Sequence, residues 1–327
     1  MHKEKNIRHY HLDGVAGAMI LYMIYGHICC WVPEIKQIPI FSRTLFFFMP
    51  CFFFKSGVFY RKKEFSAVLK GGWHKLLIPY IVFSIIGDII FDCRYLLEGI
   101  TDWRRFVIAP IRIIIHQGAV AGNAPLWFLL TLFFVKTIYN AIPNKRYCHL
   151  IVTFTSGGVT WWLYSIGFAD YYWIANTLLG IFFYGLGHEF AERQYNPIIA
   201  LSATIIYVGL VIFEPTYVDF RSNTMTNNGS YPIWMVASLC GVIMFNYFFK
   251  ILPQSFYKLL AFVGHHSMSY FIMHWCVMGI LQIVLCKILG YHHPEGLFVI
   301  YAVSIITLCP VIERILIKLN GAWLLGK

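Results

Sequence analysis

The chain has 327 residues, of which 59% are apolar and 13% charged, with 26 Lys and Arg against 15 Asp and Glu. Soluble domains carry roughly 25% charge, and a globule of this length exposes more surface than so few charges can cover. An ordinary soluble enzyme is excluded on that count and a disordered chain by the 18% aromatic content, which leaves an all-α integral membrane protein whose lipid-facing sides need no polar groups.

Ten apolar segments reach the length of about 20 residues that crosses a bilayer. In chain order they are 12–32, 39–60, 76–93, 125–142, 150–167, 172–189, 197–213, 232–251, 267–289 and 297–319. No small-residue cleavage site follows the first, so it reads as a retained helix, not a removed signal peptide. With the N-terminus in the cytoplasm, 17 Lys and Arg fall on the inner side and 8 on the outer, while Lys55 lies inside a span. The positive-inside rule therefore predicts about ten transmembrane helices with both termini cytoplasmic. The net charge of +11 belongs to the inner leaflet, not to nucleic acid.

Two outer connections are long. Residues 94–124 contain Phe106, Val107, Ile111 and Ile114 at helical spacing among arginines, which predicts an interfacial helix or a re-entrant segment. Residues 214–231 are polar and turn-rich and include Asn228-Gly229-Ser230, a glycosylation sequon by pattern. With no repeat or low-complexity tract, residues 1–327 read as one membrane domain. The nine scattered cysteines form no CxxC pair and read as small packing residues, so no metal site or redox motif is indicated.

Ionisable groups at membrane depth carry the functional signal. His27 lies near the outer end of the first span, and at 100° per residue Asp13, Ala16, Ile20 and Met23 share its face. Asp13 and His27 are about 21 Å apart along the axis, so they mark opposite ends of one path. His274 sits mid-depth in the ninth span; its bland role is a helix–helix hydrogen bond. His265 and His266 lie at the inner start of that span, where Ser267 reads as an N-cap. Asp88, inside the third span, requires a hydrogen-bond donor. Lys55 lies close enough to the inner face to snorkel, and Arg61-Lys62-Lys63 with Lys70 and Lys75 suits anionic lipid or the phosphates of a cytoplasmic ligand. No phosphate loop, dinucleotide fingerprint, HExxH or GxSxG is present.

Five segments in order resemble acyltransferase family 3: Asp13-Gly14-Val15-Ala16-Gly17 with Gly26-His27; Met49-Pro50-Cys51-Phe52-Phe53-Phe54-Lys55-Ser56-Gly57; Leu76-Leu77-Ile78-Pro79-Tyr80; Pro125-Leu126-Trp127-Phe128-Leu129; and Gly264-His265-His266-Ser267-Met268 leading to His274. The resemblance implies a ten-helix bundle in the bacterial cytoplasmic membrane. Such a bundle takes an acyl group, usually acetyl, from acetyl-CoA on the cytoplasmic side and passes it to a hydroxyl of a glycan, lipid-linked saccharide or secondary metabolite. It also implies that His27 is the catalytic residue, acting as base on that hydroxyl. The family often has a cation where this chain has Ala16, and Lys55 is the candidate substitute. The expected CoA-binding set is Lys55, Arg61, Lys62, Lys63 and Lys75, with Ser56, Trp127 and His274 as substrate contacts. A proton-coupled transporter or flippase, or a catalytically silent member of the family, is the competing expectation.

Overall fold

The computed structural model describes residues 10–213, 218–225 and 229–327. Lys3, Lys5 and Arg8 of the inner charge count, and Asn228 of the sequon, lie outside them. Helix α1 (Tyr10–Trp31) is apolar on all sides, and such a helix is stable only when surrounded by other helices. It packs against α3 (Phe48–Val58), α11 (Tyr231–Ile251), α12 (Lys258–His265), α13 (Ser267–Gln282) and α14 (Pro294–Lys318). Gly17 and Gly264 let α1 and α12 touch backbone to backbone, since a Cβ on either would fall 1.8 Å from a carbonyl oxygen of the other helix.

A helix occupies each of the ten expected segments, with two revisions. The second, 39–60, is broken into α2 (Pro39–Thr44) and α3 at Leu45–Phe47, where the Thr44 carbonyl accepts the Tyr207 hydroxyl and Pro50 has no N–H for the Phe46 carbonyl. The third begins earlier than expected, as α4 (Phe65–Gly72), and continues through a π turn at Trp73–Leu77 into α5 (Ile78–Leu97). Pro79 explains the turn: it has no N–H to donate, and its ring would crowd the carbonyl four residues back in a regular helix. The interfacial stretch forms α6 (Trp103–Gln117). The Asp102 carboxylate, accepting from the Arg104 N–H at 3.0 Å, starts it, and Gly118 at φ 72° ends it. None of its residues is buried, and Val107, Ile108, Ile111 and Ile115 are exposed, as a helix seated on a lipid surface requires.

The chain continues through α7 (Trp127–Ala141), α8 (Arg146–Ser165), α9 (Tyr172–Glu189) and α10 (Pro197–Phe213). A short antiparallel hairpin, β1 (Val218–Asp219) and β2 (Thr224–Met225), precedes α11. Ser267 is not an N-cap: α12 and α13 nearly join, His266 occupies the cap position, and no side chain caps α13. Instead His266 Nδ1 lies 2.7 Å from Glu313, which also binds the Lys327 amine. Asp88 receives the donor its depth requires, the Gly122 N–H at 3.2 Å. Among the described residues six helical stretches are long and apolar enough to cross a membrane, including Tyr10–Trp31, Ser267–Ile288 and Pro294–Lys318. Exposed Ile85, Ile89, Leu201, Ile205, Val299 and Val303 give the bundle an apolar exterior that only lipid can solvate.

Candidate active site

Helices α1 and α13 bring the two membrane-depth histidines into contact. His27 Nδ1 lies 2.8 Å from His274 Nε2, and the rings are nearly parallel at 7°. His274 is fully buried, and its Nδ1 is 2.8 Å from the Tyr270 carbonyl oxygen. A carbonyl can only accept, so this network assigns the His274 proton to Nδ1. His274 Nε2 is then an acceptor, and the shared proton belongs to His27 Nδ1. The free ring nitrogen of the pair is His27 Nε2, in a residue that lines a cavity. Trp275, edge-on at 5.2 Å, packs against the same imidazole.

That cavity, about 340 Å³, lies at the C-terminal end of α1. Trp127, Trp275 and Phe220 give it aromatic walls, and Gln37, Asp219 and Arg221 add polar groups. The hairpin supplies three of these residues. Buried Phe220 stacks on Phe53 at 5.2 Å and on Trp127 at 5.8 Å, which seats the hairpin in the bundle and leaves Arg221 at the cavity wall.

A second cavity, about 440 Å³, opens toward the N-terminal half of α1 and contains Ala16, Lys55, Ser56, Arg61, Lys63, Lys75 and Lys136 in its lining. Lys55 reaches back to α1, 3.5 Å from Asp13 and donating to the Leu12 carbonyl at 3.1 Å. Lys55 thus shares one cavity with the apolar Ala16, one turn from the aspartate it pairs with. Among the described residues no carboxylate pairs with Arg61, Lys63, Lys75 or Lys136. Like charges gathered in one concavity repel one another unless an anion joins them. Asn140 clamps the basic loop from both sides, accepting the Lys63 N–H at 3.1 Å and donating to the Lys63 carbonyl at 3.0 Å.

A layer of rings separates the two cavities. Phe52 and Phe128 face the basic one and Phe271 the histidine one; Phe128 is 6.0 Å from Phe52 and 5.4 Å from Phe271, centre to centre.

Of the residues singled out from sequence, His27, His274 and Trp127 gather at one end, and Lys55, Ser56, Arg61, Lys63 and Lys75 at the other. His274 touches His27 rather than the cavity. Lys62 is outside both: its amine donates to the Asn140 and Ile142 carbonyls, where it caps α7. Lys136 stands in its place and was missed, because a lone lysine inside an apolar run does not reveal its helix face. Asp219, Phe220 and Arg221 were missed as parts of a loop, where helix periodicity carries no signal. Trp275, adjacent to His274, was legible in principle as a wall residue.

A helical bundle with an apolar exterior, a paired imidazole in one cavity and a cluster of cations in another defines a multi-pass membrane protein built for polar chemistry within its core. The family model described as "Acyltransferase domain" matches residues 9–314, and the chain belongs to acyltransferase family 3. It is a membrane acyltransferase. Comparison with curated proteins and with solved structures gives no significant match.

Proposed function

We propose that the protein is an O-acetyltransferase. It moves an acetyl group from acetyl-CoA, bound at the basic cavity on the cytoplasmic side, to a hydroxyl of a cell-surface or lipid-linked glycan in the His27 cavity on the outer side. The observation that carries this reading is the hydrogen-bonded chain from the Tyr270 carbonyl through His274 to His27, which leaves one imidazole nitrogen free beside a cavity walled by aromatic rings. Such rings suit the apolar faces of sugars. His27 Nε2 takes the hydroxyl proton as the oxygen attacks the thioester carbonyl. The C–O bond forms and the C–S bond breaks, and the proton passes to the departing CoA sulfur. His274 holds the tautomer that makes this possible. The pantetheine arm must pass the Phe52–Phe128–Phe271 layer, which also keeps water from the thioester.

The reading is tested with purified protein, radiolabelled acetyl-CoA and a membrane glycan fraction. Label is expected in the glycan with stoichiometric release of free CoA thiol. Free movement of an unmodified glycan across vesicles without thiol release would favour the transporter instead. Comparing surface-glycan masses in wild-type and deletion strains identifies the acceptor.

The ten helices are proposed to cross the bacterial cytoplasmic membrane with both termini inside. A cysteine at Ser222 is expected to react with an impermeant maleimide added outside, and one at Asn144 to remain unlabelled, in a background with Cys30 and Cys93 replaced by serine. The reverse pattern would invert the orientation.

The cations carry a separate expectation. Lys136→Gln and Lys55→Met should each raise KM for acetyl-CoA about tenfold, since a hydrogen bond to a charged group contributes roughly 1.5–3 kcal/mol. KM for the acceptor should stay unchanged. Unaltered donor kinetics in both variants would remove the basic cavity from donor binding.

A further inference from the structure

Arg221 is placed and left incomplete. Its backbone lies in the tight hairpin turn, where the Asp219 carboxylate accepts the Arg221 N–H at 3.1 Å with one oxygen and the Ser222 hydroxyl at 2.8 Å with the other. Asp219 therefore shapes the turn and makes no ion pair with the guanidinium. Asn223, at φ 53°, completes the turn in a left-handed conformation that asparagine tolerates. Its side chain is buried and held by the Tyr231 hydroxyl at 2.5 Å. The ring of Phe220 fixes the hairpin from beneath, as described above.

Among the described residues the guanidinium has one hydrogen-bond partner: Nη2 donates to Gln117 Oε1, at the end of α6, at 2.5 Å. Arg221 Nε is buried, and among the described residues neither Nε nor Nη1 has a partner. A buried charged donor without an acceptor is costly, and a guanidinium offers its remaining N–H groups in the planar fork that matches a carboxylate or phosphoryl group. Burial lowers the tendency of Arg221 to carry its proton, and Asp219 and Tyr172 oppose that effect. The cavity lined by Arg221 is the one lined by His27, Trp127 and Trp275.

We propose that Arg221 binds an anionic group on the acceptor, a carboxylate or phosphoryl group on a sugar, and so orients a neighbouring hydroxyl toward His27. Naming the ligand as the acceptor rests on the acetyl-transfer reading; the anion site itself does not. A neutral sugar would fill the aromatic walls but offer the guanidinium only single, uncharged hydroxyl acceptors. An anionic sugar supplies both the apolar faces and a charged, paired acceptor, which makes the charge a specificity determinant: the uncharged analogue forgoes the charge-assisted bidentate pair.

The test is binding, read by the fluorescence of Trp127 and Trp275, with glucuronate, glucose 6-phosphate and glucose as probes against purified full-length protein. At least one anionic sugar is expected to give a saturable change that glucose does not give. Glucuronate alone would mark a uronic acid, glucose 6-phosphate alone a phosphorylated sugar, and both a site that reads charge. Arg221→Gln should weaken the anionic probe at least about tenfold, and Arg221→Lys, which keeps the charge without the fork, by less. Equal binding of glucose, no saturable binding of either anion, or wild-type affinity in Arg221→Gln would overturn the proposal. The three-sugar comparison on wild-type protein decides even if a variant folds poorly. Wild-type protein that binds the anionic sugar but transfers no acetyl group would sink the acetyl-transfer reading and leave the anion site standing.

Discussion

His27→Ala is expected to lower acetyl transfer by roughly 10²–10⁴-fold, the usual contribution of a positioned general base. The loss should fall on kcat with KM for acetyl-CoA little changed, because the cations that would hold the donor lie in the other cavity. The fold should persist. The substitution leaves the buried His274 Nε2 without its donor, which costs about 1–3 kcal/mol, at a partly open cavity wall. His274 gives the sharper readout, since it is proposed to act through His27. His274→Leu removes the acceptor for His27 Nδ1–H and frees the imidazole to take either tautomer. His274→Gln restores an acceptor at nearly the same reach. Activity should therefore fall in the leucine variant and recover in part in the glutamine variant, a rescue that a merely structural histidine would not show. More than about a tenth of wild-type activity in His27→Ala would end the assignment of His27 as base.

What the sequence made legible follows from what repeats along a chain. Helix periodicity placed Asp13, Ala16 and His27 on one face of α1, and charge asymmetry separated the ends of the spans. Scarcity of charge at membrane depth singled out His274, Asp88 and Lys55. Contacts between segments distant in sequence were not legible. His27 and His274 are 247 residues apart, and nothing in either segment announces that they share a proton. The break between α2 and α3 falls at Leu45-Phe46-Phe47, where the Thr44 carbonyl meets a tyrosine on α10 that lies 163 residues away. The basic cluster was legible as composition but not as geometry. Lys62 turns to the end of α7 while Lys136, on the facing helix, turns in. Arg221 depended on a hairpin whose pairing, Val218 with Met225 and Asp219 with Thr224, is too short to leave an alternating pattern.

The contact between α1 and α12 predicts the largest effect on folding. A Cβ built on Gly17 would lie 1.8 Å from the Leu260 carbonyl oxygen, and one on Gly264 would lie 1.8 Å from the Asp13 carbonyl oxygen. Both obstacles are backbone, so no rotamer change relieves them and the helices must part. Helix propensity alone argues the other way, since alanine in a helix is favoured over glycine by roughly 0.5–1 kcal/mol. Overpacking costs about 1–3 kcal/mol even where side chains can yield, and here they cannot, so the clash wins. Gly17→Ala should lower the melting temperature and the yield of monodisperse protein, and Gly17→Leu should abolish folded protein. Gly158 and Gly209, on α8 and α10, have nothing within 4 Å of the corresponding position, so alanine there should be neutral or slightly stabilising. The same geometry links packing to catalysis, because α1 carries His27 at one end and the Asp13 partner of Lys55 at the other. A shift of about 1 Å in a reacting group can cost on the order of 10²-fold in rate. Whatever Gly17→Ala protein survives should therefore lose kcat as well as stability. Wild-type melting and wild-type kcat in that variant would show that α1 and α12 do not meet at these glycines.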